Sequence, residues 1–276
     1  MLRVQHLSVK GRRGDLLPAT SLRVRRGDLL LVAGKRQDQR TALALALSGR
    51  LKPSAGHFAW DGAEWDGSRG IKALRQASAV VDSPAVNEPE QHLSVRDLVT
   101  EDLALVPRRH RGPLLSRPWL KVNRFEDIAG LWTDQLPATR RIELLTALSL
   151  ANPATDLLVL DSPDRHGDPA DWLPRLEKLA HDAGRPLAVV AVVMSIPAGW
   201  TGPRAEIGNA SAGHSEEPTR EEPTREEPTR EEPTREEATR EEPDAGRGTG
   251  PIAPATTPGP ILETAPDTAA DPKATK

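Results

Sequence analysis

Leu29–Leu47, LLLVAGKRQDQRTALALAL, decides how the rest of the chain is read. The apolar run Leu29–Ala33 is short and unbroken, as in a strand buried on both faces, and it meets Gly34 and then a polar turn. From Thr41 strong helix formers run to Gly49. Strand, glycine turn and helix in that order is the layout of a phosphate-binding loop, and equally of a plain crossover with no ligand; in an intact loop backbone N–H groups wrap the phosphates, a Lys reaches the terminal one and a Ser/Thr hydroxyl holds Mg²⁺. Against G-x-x-x-x-G-K-[ST], Gly34 and Thr41 match, while Gln39 stands for the second Gly and Arg40 for the Lys.

The candidate phosphate contacts are Gly34, Lys35, Arg36, Gln37, Asp38, Gln39, Arg40, Thr41 and Ala42. The N–H groups from Arg36 to Ala42 need no particular side chain, and the positive end of the following helix would help them. Gln39 adds a Cβ where backbone must approach phosphate, and Asp38 puts a carboxylate into an anion nest. Such a like charge costs on the order of a few kcal/mol at an effective dielectric near 20, comparable to one good phosphate contact. Lys35, Arg36 and Arg40 offset it in sign, so weak or absent nucleotide binding is expected.

The charge is distributed unevenly. Residues 216–276 hold 8 basic and 16 acidic side chains, leaving 29 and 24 in the first 215, so a net of −3 hides a mildly basic domain and an acidic tail. An excess of that size gives no argument for nucleic acid, which needs a clustered basic face. Cys is absent, which excludes disulfides and cysteine metal sites, and the longest apolar run, Leu187–Met194, falls far short of the ~20 residues of a membrane span. A cytoplasmic protein is expected, one that meets a membrane only through a partner.

Met1–His6 and Ser21–Val24 read as short strands, and LKPSAGHFAWDG after the first helix reads as a turn and a hairpin strand. Arg140–Ala151 carries apolar residues at helical spacing, and Leu157–Leu160 and Leu187–Val193 are continuous apolar strands of a parallel sheet. The alternation predicts an α/β fold. From Glu216, EEPTR repeats four times and is followed by EEATR; Pro every fifth residue forbids a continuous helix, and too few apolar groups remain to offset ordering entropy. Residues 1–200 are therefore expected as one domain, with 201–276 as a disordered linker and tail.

The order SLRVRRGDLLLVAG, a degraded phosphate loop, then TALALALSGRLKPSAGHFAWDG resembles the opening of the ATP-binding cassette (ABC) family, with Leu51, Pro53, Gly56, Asp61 and Gly62 in place. SAVVDSPAVNEPEQHLSVRDLV and LPATRRIELLTALSLANPATDLLVLDSPD are similar to its later segments, so that the resemblance spans roughly residues 2–197. It implies a P-loop NTPase-like core with a mostly parallel sheet, antiparallel N-terminal strands and a helical subdomain over about 85–150. The implied cofactors are ATP and Mg²⁺, with Thr41 and Asp161 as metal ligands, and the implied partners are a membrane permease subunit and a second ABC domain.

The same resemblance places the losses. Ser162 stands where the family has the Glu that polarises water, and a hydroxyl is no general base at neutral pH without help. Asp82 takes the glutamine-loop position, Met194 falls near the switch-loop His, and Leu136 to Arg140 replace the signature L-S-G-G-Q. Val4 to Leu31 holds no aromatic to stack on adenine, whereas Asp168 matches the D-loop Asp. Two readings follow: an ATP-binding subunit of a transporter-like assembly with little or no hydrolysis, or a pseudo-ATPase scaffold that keeps the fold. An active stand-alone ATPase is disfavoured. Deleting 216–276 should leave the melting temperature nearly unchanged by calorimetry, because the tail has little apolar surface to bury.

Overall fold

The computed structural model describes residues 1–61, 63–64, 67–112 and 115–211. The expectation of a disordered EEPTR tail falls outside them. The chain opens with β1 (Leu2–Gly11) and β2 (Gly14–Val24), then β3 (Leu29–Ala33), α1 (Gln37–Leu47), β4 (Ala55–Trp60), β5 (Ala63–Glu64) and α2 (Gly67–Ala77). It continues with β6 (Ser78–Val81), α3 (Val95–Leu105), α4 (Ser116–Val122) and α5 (Ala138–Ser149). β7 (Leu157–Asp161), α6 (Pro169–Ala180), β8 (Ala188–Val193) and β9 (Arg204–Glu206) complete it.

Two sheets result. The order β2-β1-β4-β5 is antiparallel, and β6-β7-β8-β3-β9 is parallel at every pairing. The strand period of two sorts the parallel sheet into faces. Leu30, Val32, Leu157, Val159, Val190 and Val192 pack with α1 and the antiparallel sheet. Leu29, Leu31, Leu158, Leu160, Val189 and Ala191 pack with α3, α5 and α6. Helix α1 thus lies between two sheets, and the alternating Ala and Leu of TALALAL suit it, since Ala42, Ala44 and Ala46 let backbone approach while Leu43 and Leu47 fill the core.

Three boundaries differ from the sequence expectation. β1 and β2 form one long hairpin turning at Arg12 and Arg13; register shifts between Val4 and Val9 and the positive φ of His6 break the alternation that would have revealed it. Pro18 is tolerated because β2 is the sheet edge. Helix α1 begins at Gln37 rather than Thr41. The ordered domain also runs past residue 200, since β9 pairs with β3 and Asn209 bonds the main chain of Ser21 through both amide atoms, at 2.8 and 2.9 Å.

Helices α3, α4 and α5 occupy the segment read as helical, with Ser94 capping α3 through the Asp97 N–H at 3.1 Å. Within α3, burial, with the neighbouring Glu101 adding to it, pushes the Asp102 carboxyl up to about 6. Its folded pKa then lies above the unfolded value, so the protonated form is favoured by folding: stability is full below pH ~4 and falls as pH rises through about 6. Asp102→Asn should raise the unfolding free energy at pH 7.5 by on the order of 1–3 kcal/mol, with no gain at pH 3.5, by urea denaturation at both.

Candidate functional site

β3 and β7 end at the carboxyl edge of the parallel sheet with β8 between them, and across it Thr41 and Gln37 of α1 reach Asp161. Asp161 is 1% exposed. Its Oδ2 accepts from Thr41 Oγ1 and from Ser83 Oγ, both at 2.7 Å, and its Oδ1 accepts from Gln37 Nε2 at 3.2 Å. Ser162 Oγ lies 2.9 Å from Oδ1 and 3.1 Å from Gln37 Oε1, so its one proton serves either acceptor. Thr41 and Asp161 are therefore brought together as the sequence suggested, in direct hydrogen bonding.

Arg40, which stands for the Lys, does not face the phosphate site from an exposed loop. It is 5% exposed and turned inward, with Nε donating to Ser162 Oγ at 2.9 Å and Nη1 to the carbonyls of Gly34 and Lys35 at 2.7 and 3.1 Å. Nη2 donates to Gln37 Oε1, which leaves the Gln37 amide nitrogen to reach Thr41 at 3.1 Å. The guanidinium thus fills the inside of the loop that would wrap a phosphate. It also places a buried positive charge one hydroxyl away from buried Asp161. Lysine has no fork with which to hold four acceptors, so Arg40 is not a conservative stand-in.

The rest of the loop is committed as well. Arg36 precedes α1 without a side-chain cap, and the Asp38 carboxylate takes the Gln39 N–H at 3.0 Å, an anion already seated on the helix N-terminus. Hydrogen bonds from Arg36, at 3.0 Å to Nε, hold the Asp38 carboxyl below the ordinary range. The Arg40 N–H bonds Arg36 O inside the helix, so the donor run from Arg36 to Ala42 expected from sequence is cut short. Gly34 answers to packing, since a Cβ there would lie 2.4 Å from Ile207 Cδ1. The cleft before the loop, about 560 Å³, is lined by Lys35, Gln39 and Met194 but also by the Glu206 carboxylate.

The loop does not fit the phosphates of ATP in this arrangement, because the Arg40 guanidinium fills its inside. Thr41 and Asp161 are 2.7 Å apart, near the roughly 3 Å between adjacent ligands of an octahedral Mg²⁺, so that pair by itself suits the ion. To admit a phosphate, Arg40 would have to leave a position where it makes four hydrogen bonds. Ser162, at the water-polarising position, has φ +57° and is spent on Arg40.

The other expected positions are structural. Asp82, at the glutamine-loop position, is 4% exposed; it accepts Nε and Nη2 of Arg141 at 2.8 Å each, with Arg165 Nη2 at 2.9 Å and His166 Nε2 at 2.8 Å beside it. Burial alone would push this carboxyl up, but the bonds from Arg141 and His166 and the charges of Arg141 and Arg165 hold it well below the usual range. Asp82, Glu88 and His166 are near enough to ligate a metal, yet Arg165 already bridges the two carboxylates, with Glu88 at 2.8 Å. Arg140, in the signature segment, pairs with Asp127 and Glu143 and lies 4.8 Å over the Phe125 ring. Met194 donates its N–H to Asp164 at 2.8 Å, and Asp168 precedes α6 as its N-cap.

The sequence reading missed Ser83, Arg141, Arg165 and His166. Arg141 was detectable, because it falls on the same helical stripe as Leu144, Leu145 and Leu148, where a charge needs a buried partner.

The architecture is similar to that of solved structures. The structure of cbiO1 from Clostridium perfringens, part of the ABC transporter complex cbiONQ, is similar with a TM-score of 0.51 at 20% identity over 70% of this chain and 78% of that one. A putative ABC transporter ATP-binding protein from Pyrococcus furiosus gives 0.53 at 16% identity, over 75% and 96%. The fold is that of an ABC nucleotide-binding domain. In sequence, this ABC-type domain is 28% identical over 208 residues to the hemin import ATP-binding protein HmuV of Pseudomonas entomophila, which covers 70% of this chain and 76% of that protein. No family model matches it. Among its described residues, no helix is long and apolar enough to cross a membrane.

Arg40→Ala leaves two carbonyls, the Gln37 amide and the Ser162 hydroxyl without their donor. Stability should fall by about 2–4 kcal/mol in urea denaturation. Arg40→Lys, which keeps the charge and loses the fork, should recover part of that.

Proposed function

We propose that this chain is a non-hydrolysing ABC-type subunit, a pseudo-ATPase whose nucleotide loop is closed by its own side chains and which contributes its fold and surfaces to a transporter-like assembly. The observation that carries the reading is the position of Arg40, which occupies the loop interior with four of its five N–H donors bonded. Opening the loop for phosphate breaks those bonds inside a low-dielectric site, and the Asp38 carboxylate then competes with the incoming anion. Retention of the fold with an inert loop suits a subunit that docks rather than turns over. A membrane permease subunit and a second ABC domain that supplies hydrolysis are the partners this reading requires.

The alternative, an ATP-binding subunit with little turnover, differs in one measurable quantity. Titration of the full chain with ATP to about 1 mM in the presence of Mg²⁺ should give no heat of binding and no turnover above background. Restoring the loop with Asp38→Gly, Gln39→Gly and Arg40→Lys together should create Mg²⁺-dependent binding. Micromolar binding by the wild type, lost on Lys35→Ala, would return the chain to the ATP-binding class.

A further inference from the structure

At the opposite end of β3 from the loop lies a cleft of about 760 Å³ between the antiparallel sheet and the β9 strand. β3 spans five residues, so its two ends are separated by roughly 13 Å. Four arginines line this cleft: Arg3 from β1, Arg23 from β2, Arg25 from the following turn and Arg204 from β9. All four are exposed. Arg3 and Arg23 are direct cross-strand partners, an arrangement that costs stability when the charges are alike.

Among the described residues, no carboxylate lies within ion-pair distance of any of the four, and none of them donates a side-chain hydrogen bond. The contrast is local. Arg26, next in sequence to Arg25, pairs with Asp61 at 2.6 Å and with Asp156 at 2.9 Å, and stacks 5.2 Å over Trp60. The one acid lining the cleft, Asp28, has an oxygen accepting from the Arg25 backbone N–H at 3.1 Å.

We infer that this cleft binds a ligand carrying two or more adjacent phosphates. Guanidinium groups present five fixed N–H donors each and match phosphate oxygens in pairs. Four of them lining one cleft against a single carboxylate, Asp28, leave a net positive site for an oligoanion, and Gln5 and Ser21 add neutral polar groups. No aromatic residue lines the cleft, so a base has nothing to stack on and the phosphates themselves are what is recognised. Such chemistry is found in free oligophosphates and in polyphosphorylated lipid headgroups. The site is separate from the Gly34 loop and stands whether or not that loop binds ATP.

The test is titration of the full chain with inorganic tripolyphosphate, alongside flotation with phosphatidylcholine vesicles with and without phosphatidylinositol bisphosphate. Tripolyphosphate should bind, weaken as salt is raised, and raise the melting temperature. Arg23→Gln with Arg204→Gln should weaken binding at least about tenfold. Arg12→Gln with Arg13→Gln, in the hairpin turn outside the cleft, removes the same net charge and should leave binding unchanged.

Without ligand, Arg23→Gln should itself raise the melting temperature by relieving the Arg3–Arg23 repulsion, which a structural arginine would not do. Recruitment to phosphoinositide vesicles as well as tripolyphosphate binding identifies a headgroup, and tripolyphosphate binding alone a soluble ligand. The inference is overturned if neither probe binds, if both double variants lose binding equally, or if binding survives the cleft variant and is lost on Lys35→Ala, which would place it at the loop.

Discussion

The buried link from Arg40 through Ser162 to Asp161 joins α1 to the end of β7, and the carboxyl edge of the molecule is arranged around it. Neither charge is stable alone in that position. A carboxylate at 1% exposure needs donors, which it takes from Thr41, Ser83, Gln37 and Ser162, and a guanidinium at 5% exposure needs acceptors, which it takes from the loop's own carbonyls. The two demands are met by the same few atoms. The loop is therefore held in a conformation defined by internal bonds, where a phosphate loop would be left with donors pointing into a cleft.

A second buried ionic group sits at the junction of the core with the helical segment. Asp82 collects Arg141 from the start of α5 and Arg165 and His166 from the turn before α6, three elements distant in sequence. Removing the carboxylate would strand Arg141 in a poorly solvated position, which is why such a site resists loss more than it adds to stability. Together the two groups use most of the polar side chains at the edge where an ABC domain carries its chemistry. At the far end of β3, by contrast, four arginines stand without an ion pair among the described residues.

The layers follow from residue period alone. Alternate residues of β3, β7 and β8 fall into two apolar sets, so the strands must be covered on both faces, by α1 with the antiparallel sheet on one side and by α3, α5 and α6 on the other. That is why the α/β architecture and the place of Asp161 at a strand end were legible in the sequence. The β1–β2 hairpin was less so, because a bulge shifts the alternation and two short strands are read where two long paired ones exist. β9 was missed because Arg204–Glu206 is a three-residue edge strand with no apolar run to mark it.

The sequence by itself determined the order of elements, the position of the loop between β3 and α1, and the loss of the Lys, Glu, His and signature side chains, since each depends only on residue identity at a given spacing. Where Arg40 points was decided by the tertiary structure. Exposed, it would have been a cation awaiting phosphate; its direction depends on Ser162, distant in the chain and held at positive φ, and on Gln37, which stands within reach only because α1 starts a turn early. Gly34 likewise reads as a phosphate glycine in sequence and is a packing glycine in space, because Ile207 returns to it from the far end of the domain. The physical reason is common to both: a side chain's chemistry is local, whereas its burial and its partners are set by segments that only the fold brings together.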